Sequence, residues 1–206
     1  PLPTQPASPR AKVHTTMPYL RPATDAPFGA MPHGRVLNIG KYRKDASAAR
    51  IYPGDFVILE ADGNVAPATA GALNIIGVAA EGSAGSTADT EVLVYDDPNQ
   101  RYVIQDDNDT TSMGETELGT CCDILATAGD TTVDRSLMEI DSSSATTGTA
   151  NLKIIQLHPM ELDGARTGFV TTAAAGNQRK WIVKINEHLD KVVNATVSGS
   201  VGPSGV

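Results

Sequence analysis

Long apolar runs are missing from this chain. No stretch approaches the ~20 consecutive apolar residues of a membrane-spanning helix, and the opening Pro1-Leu2-Pro3-Thr4-Gln5-Pro6 has no apolar core of the signal-peptide kind. The expectation is a soluble protein without a membrane partner. Cysteine is nearly absent too: Cys121 and Cys122 are the only two, and they are neighbours. Adjacent residues do not suit the geometry of an ordinary disulfide, and two thiols are too few for a zinc framework. Both are expected to be small buried thiols kept in a reducing compartment. Aromatic residues make up 4%, with a single tryptophan, which leaves little from which to build stacking platforms for bases or sugars.

Motifs that carry chemistry are equally scarce. There is no Gly-x-Ser-x-Gly elbow, no phosphate-cradling Gly-x-x-x-x-Gly-Lys-Ser/Thr and no Gly-x-Gly-x-x-Gly. The four histidines, His14, His33, His158 and His188, show no His-x-x-x-His spacing. The reading is a non-enzyme without a cofactor. The run Asp106-Asp107-Asn108-Asp109 is the one metal candidate, because hard cations favour clustered carboxylates. It lacks the alternating ligands and terminal glutamate of an EF-hand loop, so a solvated loop is preferred and cation binding by Asp106, Asp107 and Asp109 stays open.

What the chain does have is uneven. Net charge is −8, yet residues 1–50 carry +6 and residues 51–206 carry −14. An acidic body repels phosphates, so nucleic acid is an unlikely partner. Eight of 13 prolines fall within residues 1–34, at Pro1, Pro3, Pro6, Pro9, Pro18, Pro22, Pro27 and Pro32. Proline fixes φ and removes a donor, which rules out a helix or a central strand there. Residues 1–34 are expected to be an extended interaction arm, able to reach roughly 100 Å at ~3.1 Å per residue. Its contact candidates are the basic Lys12, Arg21 and Arg35 and the apolar Val13, Met17, Tyr19, Leu20, Phe28 and Met31.

Residues 35–192 read as a β-rich body and 193–206 as a flexible tail. Strands are expected over 54–60, with a turn at Asp62-Gly63-Asn64, and over 73–80, 90–95, 101–105, 133–140, 152–157 and 181–185. Strands 90–95 and 101–105 are read as a hairpin closed by a type I turn at Asp97-Pro98. Residues 118–128 admit a short helix, and 141–148 form a loop. The predicted core is Phe56, Ile58, Val92, Val94, Val103, Ile154, Trp181 and Val183. Many short strands indicate an all-β fold, an antiparallel β-sandwich or small β-barrel carrying the extended proline-rich arm.

Three segments in order carry a resemblance: residues 129–141 (GDTTVDRSLMEID), 149–157 (TANLKIIQL) and 180–188 (KWIVKINEH). Over roughly residues 50–190 the chain resembles tailed-phage virion structural proteins, in particular capsid cement or decoration proteins. The resemblance implies a body bound to the outside of a capsid lattice, with the major capsid protein as partner. It implies a homo-oligomer, a trimer in preference to a dimer, made in the host cytoplasm and resident on the virion. It supplies no catalytic residues. Other readings weighed are a fibre base or other head or tail part, a carbohydrate-binding module, and, far behind, an enzyme with a spatially assembled site.

Overall fold

In a computed structural model of the protein, residues 25–83, 90–109, 111, 113–159 and 178–190 are described. They form an all-β fold of two five-stranded antiparallel sheets and a short ribbon. The first sheet runs in the order β1 (Met31–His33), β7 (Arg101–Gln105), β12 (Lys180–Ile185), β11 (Leu152–Leu157), β8 (Cys121–Cys122). The second runs β2 (Gly40–Lys44), β6 (Thr90–Tyr95), β5 (Ile75–Ala79), β3 (Phe56–Leu59), β4 (Val65–Pro67). The ribbon pairs β9 (Ile124–Leu125) with β10 (Glu139–Ile140). Among the described residues no helix is long and apolar enough to cross a membrane.

Alternation explains the strand faces. In β12, Trp181, Val183 and Ile185 point into the space between the sheets, and all three are buried. In β11, Leu152 and Ile154 do the same, while Lys153 is exposed. A β-bulge then spends Ile155 as an extra residue, since Ile154 pairs with Val183 and Gln156 with Ile182. The shifted phase returns Leu157, not Gln156, to the interior. These side chains meet Tyr102 and Ile104 of β7 and, from the second sheet, Phe56, Ile75 and Val78. The Phe56 and Tyr102 rings pack edge to face at 6.2 Å.

The predicted single core divides in two. Val92 and Val94 are fully buried, but they belong to a second cluster with Ile51, Val57, Val65, Ile76 and Ala79. Val57 follows Phe56 on β3, so this cluster occupies the opposite face of the second sheet. The sheet curls around it: its edge strands β2 and β4 approach within 8 Å between Cα atoms. A Cβ on Gly77 would lie 2.1 Å from the Tyr95 carbonyl oxygen, so the close passage of β5 by β6 requires glycine. Ile58 is half-buried and packs on the main core, and Val103 is half-buried.

Several expectations are corrected. Residues 90–95 and 101–105 are strands, but not a hairpin: β6 belongs to one sheet and β7 to the other. The turn itself forms as expected, with Gln100 N donating to Asp97 O at 2.9 Å, and it serves as a corner between layers. Of 133–140 only Glu139–Ile140 is strand. The Asp130 side chain accepts from Thr132 N at 2.7 Å, and the turn so made overrides the β-propensity of Val133. No helix forms over 118–128, which holds β8 and β9 instead. The 141–148 loop contains a 3-10 turn at Ser142–Ser144 capped by Asp141.

The arm is shorter than expected. Met31–His33 is β1, paired with β7, and Ala30 is buried with its N–H bonded to Gly54 O at 2.9 Å. The body therefore begins before residue 35. An edge strand needs ladder bonds on one side only, which is why Pro32 is tolerated there. Pro67 sits likewise in edge strand β4. The bonds Ala68 N to Phe56 O (2.7 Å) and Glu60 N to Asn64 O (2.8 Å) set the register, so position 67 faces the free edge. Lys12, Val13, Met17, Tyr19, Leu20, Arg21 and the 193–206 tail lie outside the described residues.

Trp181 has no exposed surface, and its Nε1 donates to Asp106 Oδ2 at 3.2 Å. Trp181→Ala is expected to cost about 3–5 kcal/mol, towards the upper end because a buried carboxyl loses a donor. Urea unfolding followed by far-UV circular dichroism checks this; a cost under about 1 kcal/mol would contradict the core assignment.

Candidate functional site

The best-built polar constellation lies where β7 leaves the first sheet. Beyond Gln105 the chain runs beside β10: Asp106 bridges Ile140 in parallel, and Asp107 N donates to Ile140 O at 3.0 Å. The pleat then sorts side chains by parity. Asp106 and Ile140 turn one way, into the core. Gln105, Asp107, Glu139 and Asp141 turn the other way.

Asp106 is fully buried. One carboxyl oxygen accepts from Trp181 Nε1 and the other from Arg179 N. Arg179 O in turn accepts from Asp106 N at 2.9 Å. Burial pushes the carboxyl up to about 7, against the lowering effect of these bonds and of the Arg179 charge. This residue is a structural tie and does not join the other acids.

The opposite face gathers acceptors. Asp107, Asp109 and Asp141 each offer a carboxylate oxygen, and these atoms lie within 4.8 Å of one another. Ser142 Oγ stands among them, 2.6 Å from Asp107 Oδ1, 2.9 Å from Asp109 Oδ1 and 3.1 Å from Thr111 O. A hydroxyl has one proton, so it serves only one of the three at a time. Beside this group, Gln105 is 1% exposed. Its Nε2 donates to Glu139 Oε1 at 3.2 Å and to Asp25 Oδ1 at 3.4 Å, while its buried Oε1 has no partner. Burial, then the Asp25 and Asp107 charges, push Glu139 up to about 7. Burial also raises Asp107, with Asp109 and Asp141 adding to it and the Ser142 bonds opposing.

Of the three acids that the sequence singled out, Asp107 and Asp109 converge and Asp106 is diverted inward. Asp141, Glu139 and Gln105 were missed. Their pairing is spatial, and the only local sign was a polar residue on either side of Ile140.

A second feature concerns the predicted contact residues. Met31 is 55% exposed and Phe28 half-buried, and Arg35 is exposed. Val36, Leu37 and Ile39 follow at 39%, 47% and 47% exposure. Their backbone is pinned: Leu37 N donates to Gln100 Oε1 at 3.1 Å, and Asn38 Nδ2 to Asp96 Oδ1 at 2.8 Å. Gln100 Nε2 holds Arg101 O at 2.9 Å from the buried corner. The result is an apolar ridge on a fixed frame along the flank where β1 and β2 edge the two sheets.

A third is a half-open groove of about 470 Å³ beside β4, lined by alanines with Arg50, Tyr52 and Asp55. The Arg50 guanidinium lies 4.9 Å over the Tyr52 ring and pairs with Asp134 at 2.7 Å. Burial pushes Asp55 up to about 6, against bonds from Ser136 and Tyr52 N. The Asp55 Oδ1 atom is itself sealed from solvent, so the groove presents mainly small apolar side chains.

The raised carboxyls set a pH dependence. Asp106 and Glu139 titrate near 7 when folded and near 4 when unfolded. Between these values the folded state binds more protons, so stability falls as pH rises from about 5 to 8. In chelator-treated protein, denaturant midpoints are expected to drop across this window, and Glu139→Gln to flatten the drop. Midpoints that rise across it in the unmutated chain would refute the assignment.

No protein-family model matches the chain, and no curated protein or solved structure matches it.

Proposed function

We propose that the chain is a structural virion protein that binds the outside of a tailed-phage capsid lattice and stabilises it, as a cement or decoration protein. The observation that carries the reading is the apolar ridge of Val36, Leu37 and Ile39, held on a fixed backbone directly after the proline-rich segment. Apolar side chains kept exposed on a rigid frame suit docking, because little entropy is lost when they are covered. The likeness of residues 129–141, 149–157 and 180–188 to virion proteins supports the same reading.

The mechanism is linkage. A protein that binds only the assembled lattice stabilises it by mass action. The partner is the major capsid protein, and copies joined as a homo-oligomer, a trimer in preference to a dimer, raise the effective concentration of each further contact. Residues 1–24 hold Arg10, Lys12 and Arg21 and no acid. They supply a basic leader for a neighbouring acidic surface, while the β-body serves as the hub.

Purified capsids, stripped and re-decorated with the recombinant chain, test the proposal. Decorated particles are expected to release genome at a higher temperature than stripped ones. Leu37→Ser with Ile39→Ser removes exposed contacts only, so the body stays folded while attachment weakens by about tenfold or more. Deletion of residues 1–24 weakens attachment in a salt-dependent way. If stripped and decorated capsids fail together on heating, the stabilising role is wrong.

A further inference from the structure

We propose that the face carrying Asp107, Asp109 and Asp141 binds one divalent cation of the calcium class. The three carboxylate oxygens lie within 4.8 Å of one another. Two ligands at the ~2.4 Å of a calcium–oxygen bond span about that distance across the ion, whereas magnesium at ~2.1 Å asks for a tighter set. Ser142 Oγ and Thr111 O stand in the same place and are neutral oxygen donors of the kind calcium accepts.

The independent observation is Gln105. Its side chain is 1% exposed, and its head group is directed into the acidic face, where Nε2 meets both Glu139 and Asp25. Its Oε1 is buried there without a donor. A buried carbonyl oxygen left unpaired is unfavourable. Every other group on this face is also an acceptor, so what the assembly lacks is positive charge. A cation held by Asp107, Asp109 and Asp141 supplies it to the carboxylates directly and to the neighbouring Gln105–Glu139 pair through the field.

Such an ion would join three parts of the chain: the exit of β7, the Ser142–Ser144 turn, and, through Gln105, the point near Asp25 where residues 1–24 enter the body. This inference does not depend on the capsid reading, because it is tested on the isolated chain.

The experiment uses the full chain, freed of metal by chelation and dialysis. Calcium chloride is titrated in by calorimetry, with magnesium chloride as comparison. Saturable binding of one calcium per chain is expected, with magnesium at least about tenfold weaker. A rise of several degrees in Tm is expected at about 100-fold excess over Kd. Terbium offers a local readout. The single tryptophan, Trp181, bonds to Asp106, the residue next to Asp107. Terbium at the site is expected to luminesce on tryptophan excitation and to be displaced by calcium. Asp109→Asn with Asp141→Asn is expected to abolish binding while asparagine still caps the 3-10 turn; Asp62→Asn, at an exposed turn, leaves it unchanged.

No calcium binding, binding that survives the double substitution, or terbium without sensitised emission would each overturn the proposal. Equal affinity for magnesium would overturn its calcium-class assignment. Should the double variant fail to fold, the terbium measurement on the unmutated chain decides alone.

Discussion

The arrangement depends on a carboxyl group turned into the core. Asp106 ties β7 to β12 through Trp181 Nε1 and the Arg179 backbone, at the edge of the main apolar cluster. Because side chains alternate along an extended strand, the inward turn of this one residue sends its neighbours outward. Gln105 and Asp107 reach the opposite face for that reason. Glu139 and Asp141 do so because Ile140 is buried beside Asp106. Four polar groups are thus assembled by the burial of two others. Desolvation of Asp106 is the free-energy cost, and the two donors on its oxygens together with the nearby Arg179 charge offset part of it.

The sequence is most legible where alternation and burial agree. Leu152–Leu157 and Lys180–Ile185 alternate clearly and form long central strands. The all-β class and the Asp97 turn were readable for similar local reasons. Sheet membership was not. β6 and β7 flank a well-formed turn, yet β7 pairs with β1 and β12, far away in sequence. That choice is made by Tyr102 and Ile104 packing into the main core, and no short window records it. Short edge strands escaped notice as well. Met31-Pro32-His33 reads as irregular because proline is present, and only its place at an edge makes it a strand.

The candidate sites divide the same way. Asp107 and Asp109 announce themselves as an acidic run. Asp141 and Glu139 arrive from a segment read partly as strand and partly as loop, and their meeting with the run rests on a bridge between Asp106 and Ile140. The ridge of Val36, Leu37 and Ile39 was passed over because apolar residues in a chain are ordinarily assigned to the interior. Only the pinning by Gln100 and Asp96 shows that these three are held outside.

The prolines of the two edge strands β1 and β4 have a further effect. An open strand edge is a template on which another chain can extend the ladder, and stacked copies joined this way grow into fibres. Pro32 and Pro67 each delete a donor from such an edge, and Pro67 does so on its open side. Copies crowded together at high local density are thereby discouraged from zipping backbone to backbone. Any ordered association between them falls to side-chain contacts, whose geometry limits how many copies can join.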